Sequence, residues 1–148
     1  MPELTALSTT GSLGWVPCGE VSFAKTNHGA EEDCLTSEVC LTRADQGPIY
    51  NSVRDAAPTS GVSCNSSIPT GTLWAMGSCS SATKNQFGAF LSAKFADCYP
   101  PSVVGSPGCL KIGESFWDIA FQSWTSSAQG GGFSYTRSVN VAPGVACE

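Results

Sequence analysis

The chain has 148 residues, 41% hydrophobic and only 13% charged, with a formal net charge of −5. That length suits one domain that buries roughly 70% of its unfolded surface, and the low charge argues against a disordered chain. Seven Lys and Arg spread along the sequence make no basic patch for nucleic acid or an anionic membrane surface.

In chain order, residues 1–12 are Thr/Ser-rich and read as an N-terminal arm or first edge strand, followed by a single domain over 13–148. Met1-Pro2-Glu3-Leu4 has neither the basic nor the apolar region of a signal peptide. No apolar run reaches the ~18 residues of a membrane-spanning helix, so membrane insertion is not expected. Strand-like segments occupy 13–16, 20–26, 38–44, 72–78, 108–113, 115–126 and 132–141, separated by Gly, Pro, Asn and Ser clusters. This is the pattern of an antiparallel β-sandwich or jelly roll.

Within 115–126, Trp117, Ile119 and Phe121 alternate onto one face, and strict period-2 geometry sends Asp118, Gln122 and Trp124 to the other. Gly130-Gly131-Gly132 supplies a hairpin turn that tolerates positive φ. Phe133, Tyr135 and Arg137 then share a face of the returning strand. One short helix is predicted over about 85–98. Phe87, Phe90, Leu91, Lys94 and Phe95 recur at helical spacing, with Asn85 or Thr83 as a cap and Tyr99-Pro100-Pro101 as a stop.

The eight cysteines are Cys18, Cys34, Cys40, Cys64, Cys79, Cys98, Cys109 and Cys147. The number is even and no pair has CxxC spacing, so four disulfides and an oxidising compartment are expected. Cys34 and Cys40 can pair only if Thr36-Ser37-Glu38 make a turn, because a disulfide needs Cα atoms within roughly 7 Å. Cys98 and Cys109 bracket a Pro/Gly-rich loop that a bridge would close, and Cys18 with Cys147 would tie the two ends.

Chemistry-bearing constellations are sparse. His28 is the sole imidazole and reads as an exposed loop residue, so neither a nucleophile–base pair nor a mixed Cys/His zinc site is expected. Asp118, Glu114 and Glu20 are carboxylates with nothing to pair them as a glycosidase requires. Glu31-Glu32-Asp33 lacks EF-hand spacing and reads as a solvated acidic loop. No cofactor is expected. Trp15, Trp74, Trp117, Trp124, Tyr99 and Tyr135 are candidates for a sugar-stacking platform; of these Trp74 and Trp117 read as core, while Trp15, Trp124 and Tyr135, with Arg137, are candidates for a ligand or partner surface. Arg43 and Arg137 also have a structural reading, each pairing with a carboxylate such as Asp118. Asn65-Ser66-Ser67 is a lone glycosylation sequon.

The stretch from Phe116-Trp117-Asp118-Ile119 through Ser123-Trp124-Thr125 and Gly130-Gly131-Gly132 to Phe133-Ser134-Tyr135-Thr136-Arg137 resembles a β-rich module repeated in bacterial secreted and surface proteins. Val39-Cys40-Leu41-Thr42-Arg43 and Thr72-Leu73-Trp74-Ala75-Met76-Gly77 also follow that module's pattern. The resemblance, over 20–138, implies a β-sandwich used in extracellular architecture or adhesion, mostly without assigned activity. The chain departs from it in its many cysteines. The reading that results is a non-catalytic extracellular, cell-surface or virion protein. It self-associates or joins other structural subunits in a disulfide-braced assembly. The alternative is a carbohydrate-binding module, which requires a patch with two or more exposed aromatics.

Overall fold

The computed structural model describes residues 16–58, 62–126, 129–142 and 144–147. The proposed arm over 1–12, and Trp15 with it, lies outside the described residues. Eight strands follow: β1 (Val16–Lys25), β2 (Asp33–Thr36), β3 (Val39–Thr42), β4 (Tyr50–Asn51), β5 (Leu73–Met76), β6 (Pro107–Ile112), β7 (Ser115–Trp124) and β8 (Phe133–Val141). They form a five-stranded sheet in the order β1-β8-β7-β6-β5 and a three-stranded sheet in the order β2-β3-β4. Every pairing between these strands is antiparallel and neither sheet closes on itself. The predicted mainly β, sandwich-like class is correct. The short strands β2 and β4 had not been anticipated.

The main core lies between the sheets. Val39 and Leu41, with Ile49 just before β4, face Trp74, Leu110, Trp117, Ile119, Phe121, Phe133 and Tyr135 from the large sheet. Trp74 and Trp117 are both buried, as expected. A smaller cluster of Cys79, Ala82, Cys109 and Phe116 covers part of the large sheet's other face.

Three expectations are corrected, two of them in the backbone and one among the disulfides. The first is the helix over 85–98. Only a three-residue 3-10 turn forms, at Lys84–Gln86, and the chain then proceeds through a series of turns. Gly88 is the cause: its amide and carbonyl both pair with Trp74, which extends the edge of β5. Phe87 therefore packs on Phe116 on the outer face, while Phe90 and Phe95 pack on Trp74 in the main core. The apolar spacing wraps a sheet edge instead of lining one side of a helix.

The second correction is Trp124. A bulge between Phe121 and Ser123 inserts one residue into β7 and shifts its register against β8. A one-residue insertion moves every later side chain to the opposite face. Trp124 consequently joins the inner side with Phe121 and stacks on Phe90 at a centroid distance of 5.9 Å.

Four disulfides brace the fold: Cys18–Cys147, Cys34–Cys40, Cys64–Cys98 and Cys79–Cys109. The first two are as anticipated, with Cys34 and Cys40 directly opposed on β2 and β3 across the Ser37–Glu38 turn. The Cys98–Cys109 bridge does not form. Cys109 stands on the outer face of β6 beside Cys79, whereas Cys98 belongs to the segment that covers the inner face.

Gly131 marks the tightest point. Its φ is +72°, and a Cβ there would collide with the carbonyl oxygen of Ala44. Gly19 also has positive φ, but nothing lies within 4 Å of its notional Cβ. Replacing Gly19 with Ala is expected to cost about 1 kcal/mol of backbone strain. Gly131→Ala adds a backbone clash and is expected to cost at least about 2 kcal/mol more. Urea denaturation of the two variants side by side measures the difference.

Candidate functional site

The predicted surface residues separate into two groups. Tyr135 is fully buried, which corrects its placement on a ligand surface. Its hydroxyl donates to Asp33 Oδ2 at 2.6 Å. Arg137 donates to the same carboxylate through Nε at 2.7 Å and through Nη2 at 2.8 Å. The acidic triplet is thus not wholly a solvated loop. Asp33 begins β2 with its side chain buried, while Glu31 and Glu32 remain exposed. Arg137 pairs with Asp33 and not with Asp118, whose Oδ1 instead accepts the Cys79 amide at 2.8 Å. Burial, reinforced by the Asp33 carboxylate, holds the Tyr135 phenol well above its ordinary pKa.

The second group lies at one end of the sandwich, where β7 runs out and β8 begins. Arg43 follows β3 and is only 4% exposed. Nε donates to Gly47 O at 2.9 Å, and Nη1 donates to Thr125 O at 3.0 Å and to Gly132 O at 3.1 Å. The guanidinium also lies over the Trp124 ring, 3.9 Å from its centroid, a favourable cation–π placement. Among the described residues no carboxylate pairs with it. Burial alone draws its pKa down to about 10. Lys25 is the neighbouring buried cation, with Nζ donating to Gly130 O and Thr26 O. Burial, and then repulsion from Arg43, lowers its pKa.

The glycine run holds this end together. Asn27 Oδ1 accepts the Gly132 amide at 3.0 Å and the Thr125 hydroxyl at 2.9 Å, while the Gly130 amide donates to Asp45 O. Gly130-Gly131-Gly132, expected as a hairpin turn, lie just before β8 in the loop that joins β7 to β8, with φ of 113° at Gly130 and 72° at Gly131, and Gly132 O accepts from Thr125 N. The run's close packing against the 26–28 and 44–45 segments is a further demand for glycine.

Arg43 and Trp124 open onto a cleft of about 530 Å³. Tyr99, Pro100 and Pro101 form another part of its wall, and Gln46 and Ser126 add polar groups. The Cys64–Cys98 bridge lies in the lining and ties the two loops that bound it. Tyr99 is 63% exposed. Trp124 is half-buried, and its ring is already covered by Arg43 and Phe90. Tyr99 is therefore the one open aromatic of the described lining, short of the two or more expected of a carbohydrate-binding patch. A volume of this size, with an aromatic wall and a few polar groups, falls within the range of small-ligand sites.

The remaining candidates do not join this cleft. His28 is exposed on its loop, with Nδ1 3.3 Å from Asp45 Oδ2. Glu32 lies with Cys34 and Cys40 in a group of metal-ligand type, but the two sulfurs are committed to each other in a disulfide. Asn65 is exposed in a turn, next to Cys64 of the cleft wall. Comparison of the chain with family models, with curated proteins and with solved structures returned no match.

Tyr135 gives a pH prediction with a definite sign. An unfolded tyrosine releases its proton near pH 10, the ordinary value, while the folded phenol retains its own. The stability Tyr135 supplies is thus complete below pH 10 and declines as pH rises towards its raised folded value. The stability advantage of wild type over Tyr135→Phe is expected to shrink between pH 9 and pH 11, read as roughly parallel urea curves that converge.

Proposed function

We propose that this protein is a non-catalytic extracellular interaction module that takes a saccharide in the cleft beneath Tyr99. The observation that carries the reading is the open Tyr99 ring at the mouth of a cavity whose walls are fixed by Pro100, Pro101 and the Cys64–Cys98 bridge. Sugar rings present apolar C–H faces together with hydroxyls. An exposed aromatic face beside Gln46 and Ser126 meets both demands. A rigid wall also lowers the ordering cost of binding.

Four disulfides support an oxidising compartment. They suit a domain that has to remain folded outside the cell.

A second reading is a subunit of a surface, filament or virion assembly. One feature favours it. β1 is ten residues long and stands at the border of the large sheet, paired only to β8 among the described residues. Open edges are templates for pairing with another chain. Pro17, and the bulge between Cys18 and Val21 at Gly19, work against that use in the first half of the strand.

Screening of the intact, oxidised protein against a broad oligosaccharide array, followed by calorimetry on the best ligands, tests the first reading. Tyr99→Ala is expected to weaken binding about tenfold, with its unfolding midpoint close to that of wild type because the ring is mostly exposed. Absence of any saccharide binding by the wild-type protein sinks the reading. Concentration-dependent growth of multimers in sedimentation would then favour the assembly.

A further inference from the structure

Arg43 has five N–H donors, and three are accounted for by Gly47, Thr125 and Gly132. Its second amino group, Nη2, has no hydrogen-bond partner among the described residues. Nor is that atom sealed off, because Asn140 Oδ1 is the one fully enclosed side-chain polar atom left unpartnered there. Arg43 lines the cleft and keeps 4% of its surface accessible. A guanidinium that is 4% exposed, without a carboxylate partner and with two free donors, is an unusual arrangement. Buried charges are ordinarily paired, because desolvation without compensation is costly.

The charge of the cleft lining sharpens the point. Apart from Arg43, every described residue of that lining is uncharged. Within the described lining this is the one positive centre, and the neighbouring buried cation Lys25 is not part of that lining. Its position is fixed, because the three backbone acceptors and the Trp124 ring hold the guanidinium plane. A carboxylate matches one unit of charge and offers an oxygen acceptor to an N–H of Nη2, whose two hydrogens diverge and so meet one carboxylate through a single donor and not a fork. A phosphate or sulfate ester attracts further cations, and the cleft offers none.

We propose that Nη2 of Arg43 is the carboxylate subsite of the cleft, and that the saccharide it takes is an acidic one, bearing a uronate-type carboxylate, with its ring against Tyr99. This inference rests on the saccharide reading and adds the ligand's charge to it. The protein supplies the fixed cation, and the ligand supplies the missing partner. Arg43 thus has two tasks: closing the end of the sandwich with three donors and presenting the other two.

The decisive experiment leaves the protein intact and alters the ligand. Calorimetry compares a galacturonate or glucuronate oligosaccharide with its methyl ester and with the corresponding neutral oligosaccharide, all on wild-type protein. The acid is expected to bind about tenfold or more tightly than the ester, the usual value of a hydrogen bond to a charged group. Equal affinity for acid, ester and neutral sugar overturns the carboxylate subsite and leaves the saccharide reading standing. Failure of all three to bind, together with an array that shows no saccharide ligand, overturns both. Acetate at the same concentrations reveals whether the carboxylate alone is enough: acetate binding as tightly as the oligouronate also refutes the acidic-sugar assignment. Arg43→Lys keeps the charge but removes Nη2, so a folded variant is expected to favour the acid over the ester by less than wild type does. Should that variant not fold, the ligand series decides alone.

Discussion

The Asp33 carboxylate is the contact on which the two-sheet arrangement depends. It stands at the first residue of β2, in the small sheet, and takes three donors from β8 in the large sheet. Apolar packing between Leu41, Ile49 and the aromatic face of the large sheet drives the sheets together, but it is tolerant of sliding. A carboxylate held by one phenol and a forked guanidinium is not, because its geometry is directional. The hydrogen bonds from Arg137 to Asp33 raise the pKa of the guanidinium. Removing either member strands the other in a desolvated site, where the loss is typically about 3–5 kcal/mol. Register between the sheets follows from this pair, and the placement of the other end follows from register.

That other end is closed in a different manner. Arg43 donates to the backbone of β7 and β8 where they diverge, and the glycine run lets the chain come close enough to accept. Arg43 departs from the logic of Arg137, which is fully compensated by an acid. Three neutral carbonyls satisfy direction but not charge. Burial accordingly pulls the pKa of Arg43 down, whereas its carboxylate partner pushes that of Arg137 up. Two arginines in one domain, both at the border of the same core, thus end in opposite electrostatic states. The difference is what separates a structural arginine from one with capacity to spare.

Much of the fold was legible because it rests on local periodicity and on counting. The alternation in β7 and β8 located the central hairpin, and an even set of eight cysteines without CxxC spacing indicated four bridges. The failures have physical causes. Period-2 phase is valid only until a bulge, and nothing in Gln122-Ser123 announces the extra residue that turns Trp124 inward. The spacing of Phe87, Phe90, Leu91 and Phe95 suits a helix and a segment wrapped around a sheet edge equally well. The discriminating signal was Gly88, a poor helix former in the middle of the stripe. β2 was hidden by its acidic start, although Asp33 in, Cys34 out and Leu35 part-buried follow the strand alternation.

The cleft was the least legible part, since no single segment contains it. Arg43, Tyr99 and Trp124 come from three regions of the chain, joined by a β7 bulge, a 64–98 bridge and a run of turns. Two of these three determinants lie outside what hydrophobic patterning encodes. Arg43 was visible only as a member of a strand motif, and the carboxylate partner expected for it is replaced by three backbone carbonyls. What the sequence could not express is a deficit, a buried cation short of one partner. Such a deficit depends on where every neighbouring carboxylate has gone. Asp33 is taken by Arg137, and Asp45 lies beside His28. Among the described residues no carboxylate pairs with Arg43.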